Sequence, residues 1–307
     1  MQRRDVVKIG AGLAVASAAV VGTASPAQAA TIQDKAALVK AAFDTEIAKA
    51  GGTWQAKITL FDGATAVTAV DRSSKTVKPA ASMNKLGIAI AVLDKVDRGE
   101  LSLEDRVTLT SDIILTGSGF YFHQTKYGDE LTVANILVAM LLVSDNTSVR
   151  LCGLVCPPAE INETLAAKGF VNTRVIPNPD NPSRMWLGDT TAKETNDMFR
   201  GLVNGKFLSA SSTRFLTNVL RGLSGYHDGF RHDMSSAERA RVAVKYGADD
   251  ANRNESGVIY NASGVPVVVY ALMAQLSSDQ GNYGATHPVV KAHAALGRQI
   301  LDIMDGA

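Results

Sequence analysis

Residues 82–95 have the sequence SMNKLGIAIAVLDK, and this stretch decides the fold. No polar side chain interrupts residues 86–93, which predicts a helix that is buried on every side. Ser82 and Lys85 stand at its start, three residues apart, so that their side chains lie on one face. The helix N-terminus adds unpaired backbone N–H groups and the positive end of the helix dipole. A serine that attacks a carbonyl needs a nearby base and N–H donors for the oxyanion, and this stretch offers both.

Two further short polar motifs adjoin apolar elements. Together with SMNK at residues 82–85 they are called the first, second and third string below, in chain order. The string SDN at residues 144–146 comes after the apolar run 131–142, which predicts a second buried helix. The string KYG at residues 245–247 ends a strand predicted over 241–246. Simpler interpretations are a helix cap with a surface lysine for the first string and a polar turn for the second. The apolar residues after Lys85 favour a buried lysine, and burial lowers the pKa of an amine.

Strands at both ends of the chain, with helices between them, predict an α+β protein. The strands are predicted at residues 54–61, 66–70, 241–246, 258–260 and 265–274, and helices at 34–50, 82–95, 131–142 and 287–303. Helical segments are predicted to continue to about Arg221. We expect one antiparallel sheet, built from both chain ends and flanked by helices, with an inserted all-helical lobe. The α/β lobe would comprise about 30–75 and 222–307, and the helical lobe about 76–221.

The order of the three strings resembles that of class A β-lactamases and penicillin-binding D,D-peptidases, whose motifs are S-x-x-K, S-D-N and K-T-G. The resemblance extends over about residues 35–305 and implies the same fold and a covalent acyl-enzyme. It implies that Ser82 is the nucleophile and that Lys85 is its base. Ser144 would pass a proton to the leaving amine, and Asn146 would hold the amide carbonyl of the substrate.

The third string departs from the family pattern at its middle residue. The resemblance implies that Lys245 supplies positive potential and that the residue before Gly247 binds the substrate carboxylate through a hydroxyl. Tyr246 replaces the threonine or serine of the family, so its ring either narrows the pocket or reshapes carboxylate recognition. Arg253 is a candidate for the lost contact. The backbone N–H of Ala248 would form the oxyanion hole together with that of Ser82.

The deacylating glutamate of class A enzymes is missing. The segment from Arg174 to Asp189 resembles the loop that carries this glutamate, but Ile176 stands at its position. An isoleucine cannot accept a proton from water. We therefore expect deacylation that is slow, that uses an acceptor other than water, or that uses Asp180 as a substitute base.

Three other features concern the mouth of the cleft, the two cysteines and the cellular location of the protein. Phe120 or Tyr121, in the glycine-rich stretch 116–121, is predicted as an aromatic wall at the cleft mouth, although an ordinary loop is an alternative. Cys152 and Cys156 are either bridged, if a helix ends between them, or two buried thiols.

Residues 1–29 contain a twin-arginine pair, an apolar run too short to span a bilayer and an A-x-A site. They predict a signal peptide and a secreted, periplasmic or cell-wall location.

The leading interpretation is an exported serine hydrolase that cleaves a β-lactam or related amide. The alternatives are a D,D-peptidase, esterase or acyltransferase on cell-wall peptide or a secondary metabolite, and a β-lactam-binding protein without turnover. No cofactor, metal or nucleic-acid partner is expected, because the chain is near neutral at a formal charge of +1 and has no ligand motif. We expect a monomer acting on a small-molecule or peptide-like substrate.

Overall fold

The computed structural model describes residues 30–222 and 227–306. Its α-helices are α1 (Ile32–Ala50), α2 (Lys85–Asp97), α3 (Val133–Leu142), α4 (Asn146–Val155), α5 (Pro158–Ala167), α6 (Ala192–Val203), α7 (Ala210–Leu220), α8 (Ser236–Arg239) and α9 (Pro288–Asp305). Its strands are β1 (Thr53–Asp62), β2 (Thr65–Arg72), β3 (Lys78–Pro79), β4 (Arg106–Thr108), β5 (Glu130–Thr132), β6 (Arg174–Asn178), β7 (Asn181–Thr190), β8 (Val242–Ala248), β9 (Asn252–Tyr260) and β10 (Pro266–Gln275). Short 3-10 turns cover Ala81–Asn84, Ser111–Ile113 and Tyr121–His123.

The main sheet is assembled from both ends of the chain, as the sequence predicts. Its strand order is β2-β1-β10-β9-β8, and every neighbouring pair is antiparallel. β1 pairs with β10, which lies about 200 residues later in the chain, so the sheet closes only when the two ends meet. α1 and α9 bury their apolar faces against this sheet: Phe43 of α1 and Leu296 of α9 belong to one core with Tyr270 of β10. The predicted α+β fold with an antiparallel sheet is confirmed.

The second core lies between the sheet and the inserted helices, and α2 runs through its centre. Residues from Leu86 to Leu93 are buried on every face of α2, as their uninterrupted apolar sequence predicts. Side chains of α3, α4, α5 and α7 pack around them. This burial fixes the position of the helix that begins at Lys85.

A β-hairpin lies within the segment that we predicted as helical up to about Arg221. β6 and β7 form this hairpin, and β7 also pairs with the short strand β3. Two prolines at positions 177 and 179 exclude a continuous helix here, because proline lacks the N–H group that a helix interior needs. Val175 is buried between the exposed side chains of Arg174 and Ile176, which is the alternation of a strand with one buried face.

The two cysteines are unpaired and buried. Helix α4 continues through Cys152 and ends at Val155, so the two thiols do not approach as a disulfide requires. Burial raises the pKa of Cys156 to about 12 and also raises that of Cys152. Of the two alternatives, two buried thiols is the one observed.

Neither a membrane span nor a metal cluster occurs in the described residues. Within 30–222 and 227–306, no helix is both long and apolar enough to cross a membrane. Over the same ranges, no three His, Cys, Asp or Glu side chains are grouped closely enough to hold a metal ion. The signal peptide that we predict over residues 1–29 lies outside the described residues.

Asn196 fastens α6 to the main sheet, and its removal tests how far this contact stabilises the fold. Its amide donates to the carbonyls of Lys57 (3.2 Å) and Val269 (2.9 Å), and its oxygen accepts from Thr59 Oγ1 (3.2 Å). We expect Asn196→Ala to lower the free energy of unfolding by about 1–3 kcal/mol, because these buried groups lose their partner. Urea unfolding measures this change. The control Asn218→Ala, an exposed asparagine on α7, should change it by less than about 0.5 kcal/mol; equal losses in the two variants would contradict the role of Asn196.

Candidate active site

The three polar strings line one cavity of about 560 Å³. Ser82 comes from the first string, Ser144 and Asn146 from the second, and Lys245 and Tyr246 from the third, with Ala248 just beyond it. The cavity lies between the edge strand β8 and the ends of α3 and α7. The structure therefore brings together groups that lie more than 160 residues apart in the chain.

Ser82 lies in the 3-10 turn Ala81–Asn84 and not in α2 itself. A 3-10 turn has three residues per turn, so side chains at i and i+3 lie directly above one another. Ser82 and Lys85 are therefore on the same side, as predicted, although the first turn is tighter than an α-helix. Ala81 has φ +47°, a left-handed backbone that turns the chain from β3 into this segment.

Lys85 is fully buried, and its amine is held by the second string. Nζ donates to the Ser144 carbonyl (2.5 Å), to Ser144 Oγ (3.2 Å) and to Asn146 Oδ1 (2.7 Å). Burial lowers the pKa of Lys85 to about 7, although the charge of Asp145 opposes this shift. Near neutral pH a large fraction of this lysine is therefore an unprotonated amine, which can accept a proton.

Ser144 lies between two lysine amines. Lys85 Nζ is 3.2 Å and Lys245 Nζ is 3.1 Å from its Oγ. Ser144 has φ +57°, a left-handed conformation that costs energy for a residue other than glycine. The next residue, Asp145, keeps this conformation in place: its carboxylate caps α4 through Ser148 and accepts the backbone N–H of Phe120 (2.7 Å). Asp145 therefore has a structural role beside the cleft.

Lys245 is buried next to Lys85, and the charge of Lys85 affects its amine. Burial and the charge of Lys85 lower the pKa of Lys245 well below its usual value, and Glu255 opposes the shift. Nζ also donates to the Tyr246 carbonyl (2.8 Å). Two like charges this close to one hydroxyl disfavour each other, so the site favours at least one neutral amine.

Gly247 allows the edge strand to approach the backbone of the first string. A Cβ at this position would lie 2.8 Å from Ser82 N and 2.5 Å from Met83 N, closer than side-chain carbons are found in proteins. The backbone around Ser82 therefore lies against the Gly247–Ala248 segment of β8. This approach is what an oxyanion hole made of the Ser82 and Ala248 N–H groups requires.

Arg231 also lines the cavity, and the sequence offered no motif that would identify it. Its side chain is buried, and Nη1 donates to the carbonyls of Gly222 (3.3 Å) and Val242 (3.4 Å). Burial lowers the pKa of Arg231 from its ordinary value, yet an arginine stays charged at neutral pH. It therefore places a cation in the cleft.

A buried carboxylate supports the segment that carries Arg231. Glu255, on β9, accepts the backbone N–H of Phe230 at 3.0 Å and lies 3.2 Å from His293 Nδ1 on α9. Tyr270 also donates to it, at 3.4 Å. All four side chains are buried. Because Phe230 immediately precedes Arg231, this contact fixes where the guanidinium enters the cavity.

Arg253, which we predicted as a replacement carboxylate contact, does not line the cavity. The residue is buried near the start of β9, and its guanidinium donates to the carbonyls of Gln280 (2.8 Å) and Asn282 (2.6 Å). It also lies over the ring of Tyr283, 4.5 Å from the centroid. Tyr283 does line the cavity, so Arg253 acts on the site only by holding this ring.

Tyr121 lies elsewhere than predicted. Its side chain is buried in the core of the inserted helices and does not line the cavity, so it cannot be the aromatic wall. Burial raises the pKa of Tyr121 to about 12. The glycine-rich stretch contributes Gly117 and Ser118 to the cleft instead, and the aromatic rings there belong to Tyr246 and Tyr283.

Ile176 and Asp180 both lie on the β6–β7 hairpin, away from the cavity lining. Ile176 is exposed and faces Trp186 across the two strands. Asp180 is exposed in the turn, where its backbone N–H donates to Asn178 Oδ1 (2.8 Å). The contacts of Asp180 therefore give no support to the prediction that it activates water for deacylation.

Asn84, inside the first string, joins this hairpin to the 3-10 turn Ala81–Asn84, which carries Ser82 and is called the catalytic turn below. Its amide nitrogen donates to the carbonyls of Arg174 (3.1 Å), Leu187 (2.6 Å) and Asp189 (3.0 Å). We did not single out this residue from the sequence, because the middle positions of S-x-x-K carry no requirement of their own. It fixes the hairpin against the turn that holds Ser82.

The fold and this site define an active-site serine enzyme of the acyl-transferring type. The sequence matches the model of the beta-lactamase enzyme family over residues 38–304, and the chain belongs to that family. The family confirms the resemblance to serine β-lactamases and D,D-peptidases and the predicted class, a serine hydrolase that acts on amide bonds. Among curated proteins, no sequence matches the chain.

Solved structures of low sequence identity share the fold. A β-lactamase from Sphaerobacter thermophilus is 22% identical, with a TM-score of 0.73 over 88% of this chain and 97% of that one. A β-lactamase from Chitinophaga pinensis is 20% identical, with a TM-score of 0.74 over 87% and 99%. The protein PBP-A is 18% identical, with a TM-score of 0.70 over 88% and 96%. These likenesses concern the architecture.

Replacing Asn84 tests whether it holds the hairpin to the catalytic turn. Asn84→Asp keeps the shape but places a carboxylate against three carbonyl oxygens, so we expect a loss of about 2–4 kcal/mol in the free energy of unfolding. Asn84→Ala, which removes the donor without adding a charge, should lose about 1–2 kcal/mol. Urea unfolding measures both changes. If Asn84→Asp is as stable as the exposed control Asn218→Asp, the proposed contact is absent.

Proposed function

We propose that this protein forms an acyl-enzyme on Ser82 with a β-lactam or a related amide and releases the acyl group slowly. One observation carries the proposal: all three strings line a single cavity, and the buried amine of Lys85 is bonded there to Ser144 and Asn146. A cap and a polar turn without a function in catalysis would have no reason to converge in this way.

In the proposed acylation step, Lys85 is the base. Its neutral amine accepts the proton of the Ser82 hydroxyl while Ser82 Oγ bonds to the carbonyl carbon of the substrate. The N–H groups of Ser82 and Ala248 hold the oxyanion. As the C–N bond breaks, Ser144 donates its proton to the leaving nitrogen and recovers one from Lys85.

An anionic substrate fits the charge of the cleft. In the proposed role, Arg231 supplies a cation on the side of Lys245, whose own charge is disfavoured by burial. Tyr246 stands where the family has a small hydroxyl residue, so a carboxylate would meet a phenol ring there, with the Arg231 guanidinium in the same cavity. A guanidinium is suited to bidentate carboxylate recognition.

We expect slow deacylation because the described lining of the cleft has no carboxylate or imidazole beside Ser82 that would serve as the base for water. Among the described residues that line the cavity, none is Asp, Glu or His. Ile176 occupies the position of the family's glutamate and lies exposed on the hairpin. This favours a β-lactam-binding protein with little turnover over an efficient β-lactamase. A related structure, at 18% identity, is a PBP-A variant captured as its acyl-enzyme with penicillin G.

A peptidase, esterase or acyltransferase is the second candidate. The same acylation machinery serves an ester or a peptide-like amide, and a neutral amine acceptor, unlike water, attacks without prior loss of a proton. The departure at Tyr246 favours a substrate whose anionic group differs in position from that of a penicillin. The product released from the acyl-enzyme distinguishes this candidate from a protein that only traps its ligand.

We also propose that residues 1–29 direct export of the protein through the twin-arginine route and are then removed. The support is the pair Arg3-Arg4, the apolar run over residues 9–21 and the sequence AQA at residues 27–29. A secreted or cell-wall location would expose the cleft to cell-wall peptides and to β-lactams.

Intact-mass analysis with a penicillin tests the proposal. We expect an adduct of the full penicillin mass on Ser82 that persists for minutes or longer, because none of the described lining residues is an Asp, Glu or His that would serve as the base for water. Ser82→Ala should lose the adduct, and Ser278→Ala, an exposed serine, should keep it. Asp180→Asn should leave the lifetime of the adduct unchanged, since Asp180 lies in the hairpin turn.

Three outcomes would revise the proposal. Rapid return to the free mass, together with hydrolysed penicillin, would indicate an efficient β-lactamase. A lifetime that lengthens severalfold in Asp180→Asn would restore Asp180 as the substitute base. An adduct that survives in Ser82→Ala would place the nucleophile elsewhere.

The pKa of Lys85 predicts how acylation depends on pH. Because burial lowers this pKa to about 7, we expect the second-order rate constant of acylation to rise about tenfold per unit of pH below 7 and to level off above it. Stopped-flow acylation from pH 5 to 9 measures this profile. Lys85→Met should abolish acylation, whereas Lys206→Met, an exposed lysine, should retain the profile. A flat profile from pH 5 to 9 in the unaltered protein would exclude Lys85 as the base.

A further inference from the structure

A second cavity, of about 270 Å³, is formed by α4, the β6–β7 hairpin and the loop between β4 and β5. The same loop contributes Gly117 and Ser118 to the catalytic cavity. The proposed acylation uses none of the residues that line the second cavity. Its lining includes Asp112, Leu115, Arg150, Arg184, Met185 and Trp186.

The guanidinium of Arg150 has an unused edge. Its Nη1 donates to the carbonyls of Ile113 (3.4 Å) and Ile114 (2.8 Å). Nε and Nη2 have no hydrogen-bond or ion-pair partner among the described residues. These two groups form the edge of a guanidinium that can donate to both oxygens of a carboxylate in parallel. Arg150 therefore keeps free the part of its side chain that recognises a carboxylate.

A second arginine adds positive charge to this cavity. Arg184 Nη2 donates to Asp112 Oδ2 (3.2 Å), whereas Nη1 is buried and has no partner in the described parts of the chain. Among the described lining residues, Asp112 alone carries a carboxylate, and its side chain is 76% exposed. Burial and the charge of Arg184 lower the pKa of Arg150, and the charge of Asp112 opposes this shift. Two guanidinium groups thus share one exposed carboxylate, which leaves the lining with a net positive charge.

The other side chains named in this lining are apolar, and one of them is an exposed indole. Trp186 is 54% exposed, although tryptophan is a residue that proteins bury to a large extent. Leu115 and Met185 line the cavity with it, and Ile176 stands opposite Trp186 in the hairpin. An indole is a surface on which another aromatic ring can stack. The cavity therefore combines a carboxylate-binding edge with an aromatic surface.

We infer that the second cavity binds a small aromatic carboxylate. The carboxylate would accept from the Nε–Nη2 edge of Arg150, and the ring would lie against Trp186. A simple inorganic anion would leave the indole uncovered, and a neutral aromatic molecule would leave the guanidinium without an acceptor. A ligand that carries both groups uses the whole lining, as is usual for pockets that pair apolar walls with a few polar groups. The inference does not depend on Ser82 chemistry.

The fluorescence of Trp186 reports on this cavity directly. The chain has two tryptophans, and Trp54 is buried in the core of the main sheet, so emission of an exposed tryptophan comes from Trp186. Titration with hydrocinnamate, which does not absorb where tryptophan is selectively excited, should change this emission saturably with a Kd of about 1 mM or below. Hydrocinnamyl alcohol lacks the carboxylate and propionate lacks the ring. Each should bind at least about tenfold more weakly than hydrocinnamate.

Substitutions assign the binding to individual side chains. Arg150→Gln should weaken hydrocinnamate binding at least about tenfold, and the control Arg214→Gln, an exposed arginine on α7, should leave it unchanged. Arg150→Lys keeps the positive charge but loses the paired donors, so it should weaken binding as well. In Trp186→Phe the change in emission should disappear. Urea unfolding shows which variants are folded, and if both Arg150 variants unfold, the three compounds on the unaltered protein still decide the question.

Four outcomes would overturn the inference. The first is the lack of a saturable change with hydrocinnamate, and the second is equal affinity for hydrocinnamate and hydrocinnamyl alcohol, which would show apolar binding alone. The third is phenyl phosphate binding about tenfold more tightly than hydrocinnamate, which would replace the carboxylate by a phosphate. The fourth is binding that survives in Arg150→Gln but is lost in Arg231→Gln, which would place the anion in the catalytic cavity. Acylation of Ser82 is decided separately, by the intact-mass experiment.

Discussion

Burial of the Lys85 amine is the constraint on which the cleft depends. An amine withdrawn from water needs acceptors around it, and Lys85 finds them in the Ser144 carbonyl and the Asn146 side chain. These acceptors lie in the turn between α3 and α4, so α2 can bury its first residue only if that turn keeps its shape. Asp145 holds the turn by capping α4 and by accepting backbone N–H groups from the neighbouring loop. The contacts that permit burial of Lys85 are therefore the same ones that hold its amine in the proposed catalytic site.

The sequence predicted those helices and strands whose formation depends on the pattern of their own residues. The apolar run of α2 and the alternation in β8 identify these elements, and each polar string lies at the end of a helix or strand. The structure brings these ends together at one cavity. Arg231 could not be found in this way, because nothing in its neighbourhood shows that Glu255, on another strand, fixes the segment. Tyr121 failed for a related reason: an aromatic residue after glycines can face either the cleft or the core, and tertiary packing decides. The prolines at positions 177 and 179 could have excluded a helix around Ile176 from the sequence alone.

One departure from the family pattern, at Ile176, concerns the second half of the reaction, the release of the acyl group. Groups that would act in acylation, Ser82, Lys85 and Ser144, are assembled around one cavity. The position that would serve water carries Ile176 instead, on a hairpin that Asn84 fastens to the catalytic turn through three carbonyls. The hairpin is thus retained as a structural support for the serine even though it no longer offers a proton acceptor there. The glutamate of the family can therefore be absent while the hairpin keeps its contacts with the turn that carries Ser82.

The buried carboxylate of Glu255 joins the far end of the chain to the cleft. Glu255 contacts His293 on α9 and the backbone of Phe230, beside the arginine that enters the cavity. Helix α9 contributes no described residue to the cavity lining, yet it packs against the back of the sheet at this point. A substitution of His293, in the last helix, can therefore alter the cleft from a distance, because it removes a neighbour of the carboxyl group that holds the segment of Arg231.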